Sequence, residues 1–214
     1  MITDSVENPQ WSHHLPNDGS KIGGNVPTKY GVVSPLPSGS GALIYIEGPA
    51  YSDFEAYITR PVLPNTGSLA LTFSLATDAN APKVAQAIET DTILTVNGWT
   101  YNLSAQINYE EDGMLQVADA TGAWLDTGEK PGKLTPNVRY KYAIEYAFDE
   151  VAHTASVLSM NLDGVDFPVP ASLHNAAAKQ LGWADGAIFQ VQLDLGASGG
   201  AYSVEVGDVN YVWQ

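Results

Sequence analysis

Glu89, Thr90 and Asp91 place two carboxylates two residues apart, so both share one face wherever the segment is extended. Two carboxyl groups fixed on one rigid surface are the minimum for acid–base or nucleophilic attack on a glycosidic bond. Asp53 and Glu55 repeat the spacing, whereas Glu145 has no acid two residues away. A chain with 24 acidic residues produces such pairs by chance, so the spacing alone names no reaction. An enzymatic reading would rest on Glu89, Asp91 and Glu145.

A second polar set is built mainly from amides. In 187–195, AIFQVQLDL, the residues Phe189, Val191, Leu193 and Leu195 alternate with Gln190, Gln192 and Asp194. Period two marks a strand lying between a packed core and water. In 139–149, Lys141 and Glu145 fall opposite Tyr140, Tyr142, Ile144, Tyr146 and Phe148. If the two strands share a sheet, Lys141, Glu145, Gln190, Gln192 and Asp194 pave one hydrogen-bonding surface suited to a hydroxyl-rich ligand. The plainer reading is a solvated sheet face with cross-strand pairs such as Lys141–Glu145.

Loop aromatics add apolar platforms. Trp99 follows the turn Asn97-Gly98, and Trp183 sits in LGWADG; each can stack on a sugar ring or simply pack. No cofactor is demanded by the sequence. A structural calcium ion is the metal whose ligands are on offer, at Asp163 and Asp166 or in the run Glu110-Glu111-Asp112-Gly113, though neither has EF-hand spacing. The histidines His13, His14, His153 and His174 do not cluster, and no G-x-S-x-G signature or phosphate-binding loop occurs.

Composition narrows the partners. Twenty-four acids against nine bases give a net charge of −15, and Arg60 and Arg139 are the two arginines. Binding to a phosphate backbone needs basic side chains that displace counterions, so nucleic acid is excluded. Anionic polysaccharides fit poorly for the same reason, and a neutral glycan fits best. Charged residues make up 15% of the chain, against roughly 25% in typical soluble proteins. There is no cysteine and no apolar run near the roughly 18 residues of a membrane span, so neither disulfides nor membrane insertion is expected. The polar, weakly charged surface suits an extracellular or cell-surface protein whose leader lies outside this sequence. A cytoplasmic location stays open, as does the oligomeric state.

The elements that must hold these residues are strands. Period two recurs over 42–47, 53–60, 68–76, 88–96, 100–109, 114–119, 123–126, 139–149, 153–162, 165–169, 187–195 and 201–213. Asn97-Gly98 between two such runs predicts a tight hairpin. A short helix is expected where Ser172 can cap a run with Leu173, Ala177 and Leu181 on one face, and another at 82–87 capped by Asn80. Residues 1–40 read as an irregular arm anchored by Trp11, with one edge strand near 30–33. Residues 41–214 read as one all-β, two-sheet antiparallel sandwich.

The segment Gly122-Ala123-Trp124-Leu125-Asp126-Thr127-Gly128, then Leu134-Thr135-Pro136-Asn137, then 139–149, resembles the concanavalin A-like and laminin G-like jelly-roll superfamily. The resemblance covers about 41–214 and implies a jelly roll that presents ligands on an outer, commonly concave, sheet face. That superfamily includes lectins, carbohydrate-binding modules, glycoside hydrolases and polysaccharide lyases, so fold does not settle function. The hydrolase motif E-x-D-x-x-E is half present at Glu89 and Asp91, but its third acid falls on Leu94. The reading that results is a lectin-like module for a neutral glycan. A hydrolase or lyase of the same fold, or an adhesion domain working through protein contacts, stands beside it.

Overall fold

The computed structural model describes residues 2–5, 10–15, 25–36, 41–61, 67–173 and 176–213. Two antiparallel sheets face each other across one hydrophobic core. The first follows the order β13 (Val165–Pro168), β12 (Thr154–Leu162), β11 (Tyr140–Asp149), β6 (Ser68–Thr77), β16 (Gly200–Trp213), β4 (Ala42–Gly48) and β3 (Lys29–Val33). β1 (Ile2–Ser5) pairs with β16, and β14 (Ala176–Ala177) pairs with β12. The second sheet runs β10 (Trp124–Asp126), β9 (Met114–Ala118), β8 (Trp99–Asn108), β7 (Ala85–Val96), β15 (Gly186–Leu195), β5 (Asp53–Pro61) and β2 (Ser12–His14).

Alternation decides what each strand buries. Phe189, Val191, Leu193 and Leu195 are fully buried, and Phe73 of the opposite sheet lies 4.9 Å from Phe189 and 4.7 Å from Tyr142, stacked on the latter. Two hydroxyls inside the core bond across the sandwich. The Thr92 hydroxyl donates to Tyr146 Oη at 2.9 Å, and Tyr202 Oη donates to the carbonyl of Ala87 at 3.1 Å. The β7–β8 turn has positive φ at both Asn97 and Gly98, as a two-residue hairpin matched to strand twist requires.

The N-terminal segment enters both sheets. The edge strand expected near 30–33 is β3, and β1 and β2 are further pairings that the sparse periodicity of the arm did not announce. Trp11 is half-buried, with its ring edge-on to Phe189 at 6.2 Å.

Neither helix forms as the sequence suggested. Ala171–Leu173 is a single 3-10 turn; His174 and Asn175 lie outside the described residues, and Ala176–Ala177 is already a strand. Its backbone pairs with Thr154 and Ala155, and Lys179 exchanges two hydrogen bonds with Thr100 at 2.8 and 2.9 Å. These bonds tie one sheet to the other, and a helix here would forfeit them. At 81–84 a helix, α1 (Ala81–Val84), does occur, but Asn80 makes no side-chain cap. Asp78 takes that role: its Oδ1 accepts from the N–H groups of Asn80 and Ala81, and its Oδ2 from Ser203.

Gly113 is required by space as well as by angle. Gly113 has φ +77°, and a Cβ there would lie 2.1 Å from the carbonyl carbon of Gly132. Gly122 has φ +84° with open space around it. Gly113→Ala is expected to cost about 2–4 kcal/mol in thermal unfolding and Gly122→Ala about 1 kcal/mol. Equal losses would show that the Gly132 contact is not tight.

Candidate functional site

The alternation that buries Phe189 and Val191 turns Gln190, Gln192 and Asp194 to the outer face of the second sheet, and strand register fixes their neighbours. In one row across six strands stand Asp126, Gln116, Gln106, Glu89, Gln192 and Glu55. A second row holds Ser104, Asp91, Gln190 and Tyr57; a third holds Asn108, Ala87, Asp194 and Asp53. Adjacent strands lie about 4.8 Å apart, so the rows form a regular lattice of carboxylates and amides.

Much of this face is sheltered although it is polar. Asp91 is 2% exposed and Gln106 and Gln116 are 5%, while Glu89 and Asp194 are half-buried. The amides donate within the lattice. Gln106 Nε2 reaches Gln116 Oε1 at 2.6 Å, and Gln116 Nε2 reaches Asp126 Oδ1 at 2.6 Å. Gln190 Nε2 donates to Asp91 Oδ2 at 2.7 Å, and Gln192 Nε2 to Asp194 Oδ1 at 2.8 Å.

Burial and crowding shift these acids upward, toward the protonated form. Burial, then the charges of Asp91 and Asp194, push Glu89 well above the usual carboxylate range. Burial also raises Asp91, against its hydrogen bonds with Ser104, Glu89 and Gln190. Asp194 is pushed up to about 7, first by burial and then by the charges of Asp53 and Asp91, against the Gln192 hydrogen bond. The face therefore combines proton-bearing carboxyls with acceptors at fixed spacing. No group of three or more His, Cys, Asp or Glu side chains placed to hold a metal ion occurs among the described residues.

The structure brings together Glu89, Asp91, Gln190, Gln192 and Asp194, and separates them from the other candidates. Lys141 and Glu145 stand on β11 in the first sheet, so the surface expected to join them with β15 does not form; both are exposed there. Trp99 stacks on His153 at 3.8 Å and packs against the core. Trp183 is 48% exposed in a loop tied to the β7–β8 turn, where Asp185 Oδ1 accepts from the Gly98 N–H at 3.2 Å. Asp163 and Asp166 serve the β12–β13 turn: Asp163 Oδ1 accepts from the Lys141 N–H at 2.7 Å, and Asp166 Oδ1 from Asn161 Nδ2 at 2.6 Å. Leu94, where the hydrolase motif would carry its third acid, is buried in the core. Ser104, Gln106, Asn108 and Gln116 complete the lattice without having been singled out. Their signal was present, since they alternate with Leu103, Ala105, Ile107 and Leu115 as Gln190 alternates with Phe189.

No protein-family model matches the sequence, and no curated protein matches it. Among solved structures, the fold is similar to basic winged bean lectin with Tn-antigen: 8% identity, TM-score 0.54, covering 98% of this chain and 97% of that one. It is similar to an alginate lyase from Chlorella virus at 7% identity and TM-score 0.53, covering 89% and 92%. A cellulose-induced protein matches at 13% identity and TM-score 0.52, covering 95% and 91%. The chain has the concanavalin A-like jelly-roll fold that its sequence resembled. No helix among the described residues is long and apolar enough to cross a membrane.

Proposed function

We propose that the protein is a lectin-like module that binds a neutral glycan on the outer face of its second sheet, outside the cell or at its surface. The observation that carries this reading is the row from Asp126 to Glu55, in which every side chain across six strands can hydrogen-bond. Such groups on rigid strands meet sugar hydroxyls with little side-chain freedom left to lose. The excess of carboxylates disfavours uronates and sulfated chains through like-charge repulsion. Exposed Trp183 supplies an apolar surface for a sugar ring. Binding is preferred to cleavage because Leu94 occupies the position of the third acid of the hydrolase motif.

Gln192 tests the reading without touching the core. Gln192→Ala is expected to cost about 0.5–1.5 kcal/mol of affinity in calorimetric titrations with soluble oligosaccharides, and less than about 1 kcal/mol of stability. Full affinity with unchanged stability would move the ligand off this face.

A further inference from the structure

We propose that the outer face of the first sheet carries a second binding site, a small polar cavity at Arg139 and Glu205 that takes one uncharged sugar ring. It lies on the side of the sandwich opposite the glycan face and stands independently of it.

Register builds the site. Glu205 of β16 stands between Leu43 of β4 and Ala76 of β6, and Arg139 precedes Tyr140, which pairs with Leu75. Ala42, Ile44, Leu75, Val204 and Val206 are buried in the core, so alternation turns Leu43, Ala76 and Glu205 outward. Ala76 ends at a methyl group, and Arg139 reaches across it to Glu205, Nη2 to Oε2 at 2.6 Å. The space beside this bridge encloses about 200 Å³ and is walled by Leu43, Thr77, Asn137 and Ser203.

The guanidinium is already held in place. Its Nη1 donates to Ser74 Oγ at 3.0 Å, and Ser74 donates in turn to Asp208 Oδ2 at 2.9 Å. Groups fixed in this way lose little freedom on binding. A guanidinium has further N–H groups beyond the two used here, and a carboxylate has a second oxygen beyond Oε2. Asn137 is set by φ +61° and by its backbone N–H, which donates to the Thr77 carbonyl at 2.7 Å. Its side-chain amide makes no hydrogen bond among the described residues. Asp78 forms a rigid rim, accepting from the N–H groups of Asn80, Ala81 and Ser203 and from the Ser203 hydroxyl.

This chemistry selects the ligand. Arg139 and Asn137 supply donors, Glu205 and Asn137 supply acceptors, and half-buried Leu43 supplies an apolar wall. A hydroxyl both donates and accepts, so a vicinal diol can bridge guanidinium and carboxylate while its C–H face lies on Leu43. An anion would meet Glu205 and Asp78, and an ammonium group would meet Arg139. Pockets for drug-sized molecules enclose roughly 300–1,000 Å³, so this cavity suits one ring and not a chain segment.

The test follows the full chain in ¹⁵N–¹H spectra during titration with methyl α-glucoside, methyl α-mannoside and methyl β-galactoside. Glucuronate, glucosamine and glycerol are the controls. At least one methyl glycoside is expected to shift the backbone signals of Asn137, Arg139, Ser203 and Glu205, and to bind about tenfold more tightly than each control. Arg139→Ala and Glu205→Gln alter side chains that are 41% and 46% exposed, and each is expected to weaken binding about fivefold. Gln192→Ala, on the other sheet, is expected to leave it unchanged. Silence at these residues from all three glycosides overturns the inference, as does a control that binds equally well or full affinity in both first-sheet variants. Shifts that vanish in Gln192→Ala and persist in Arg139→Ala also overturn it, by returning the sugar to the second sheet. None of these results touches the reading of the glycan face except the last, which supports it.

Discussion

Phe189→Ala is expected to remove about 3–5 kcal/mol of stability, the largest loss from any single truncation on β15. The ring is fully buried, lies 4.9 Å from Phe73 of the opposite sheet and receives the edge of Trp11. Its loss therefore opens a cavity at the centre of the sandwich and loosens the anchor of the N-terminal segment. Against a total of about 5–15 kcal/mol, that is enough to lower the melting temperature by roughly 10 °C. Urea unfolding of Phe189→Ala beside Gln192→Ala checks the claim on one strand. A tolerated Phe189→Ala with an unfolded Gln192→Ala would mean that the two faces are reversed.

Stability is expected to fall as the pH rises from about 4 to about 8, with Asp194 and Glu89 as the causes. Its folded pKa is about 7, raised from an ordinary 3.8 by burial and then by the charges of Asp53 and Asp91. Below pH 4 the carboxyl is protonated in both states. Between 4 and 7 the unfolded chain loses the proton and the native chain keeps it. The native state then binds more protons, and stability drops by up to about 1.4 kcal/mol for each pH unit. The whole window amounts to about 2–4 kcal/mol, and Glu89 acts in the same direction. Asp194→Asn keeps an acceptor for Gln192 and removes the charge, so it is expected to raise stability at pH 8 and flatten the slope. Urea midpoints at pH 5 and pH 8 for both proteins decide this. A wild type more stable at pH 8, or an Asn variant that is weaker there, would contradict it.

The strands were legible because their alternation is strict: the sequence places β4, β6, β11 and β15 to within a residue or two. Faces were legible for the same reason: Glu89 and Asp91 share one side of their strand, and Gln190, Gln192 and Asp194 share one side of theirs, as expected. Which strands share a sheet was not. Period two states which side chains lie together along a strand, but carries nothing about its neighbours, so Lys141 and Glu145 were grouped with β15 across the core. The helix at Ser172 failed because three apolar residues at helical spacing are weak evidence against the pairing of 176–177 with β12 and the two Lys179–Thr100 backbone hydrogen bonds to β8. Ser104, Gln106, Asn108 and Gln116 were readable but passed over, since an amide on a strand attracts less notice than an acid pair. The proton-holding character of the face is different in kind. It arises only when Asp53, Glu55, Glu89, Asp91 and Asp194, up to 141 positions apart in the chain, are brought to one surface.

The claim that glycans sit on the outer face of the second sheet is tested most directly by following the glutamine side-chain amides in a ¹⁵N–¹H titration. Cellohexaose serves as the probe. The account predicts that the NH₂ signals of Gln106, Gln116, Gln190 and Gln192 move together, with the indole N–H signal of Trp183 following at the margin. Shifts confined to the backbone around Lys141 and Glu145, or to the Asp163 turn, with those four amides still, would contradict it.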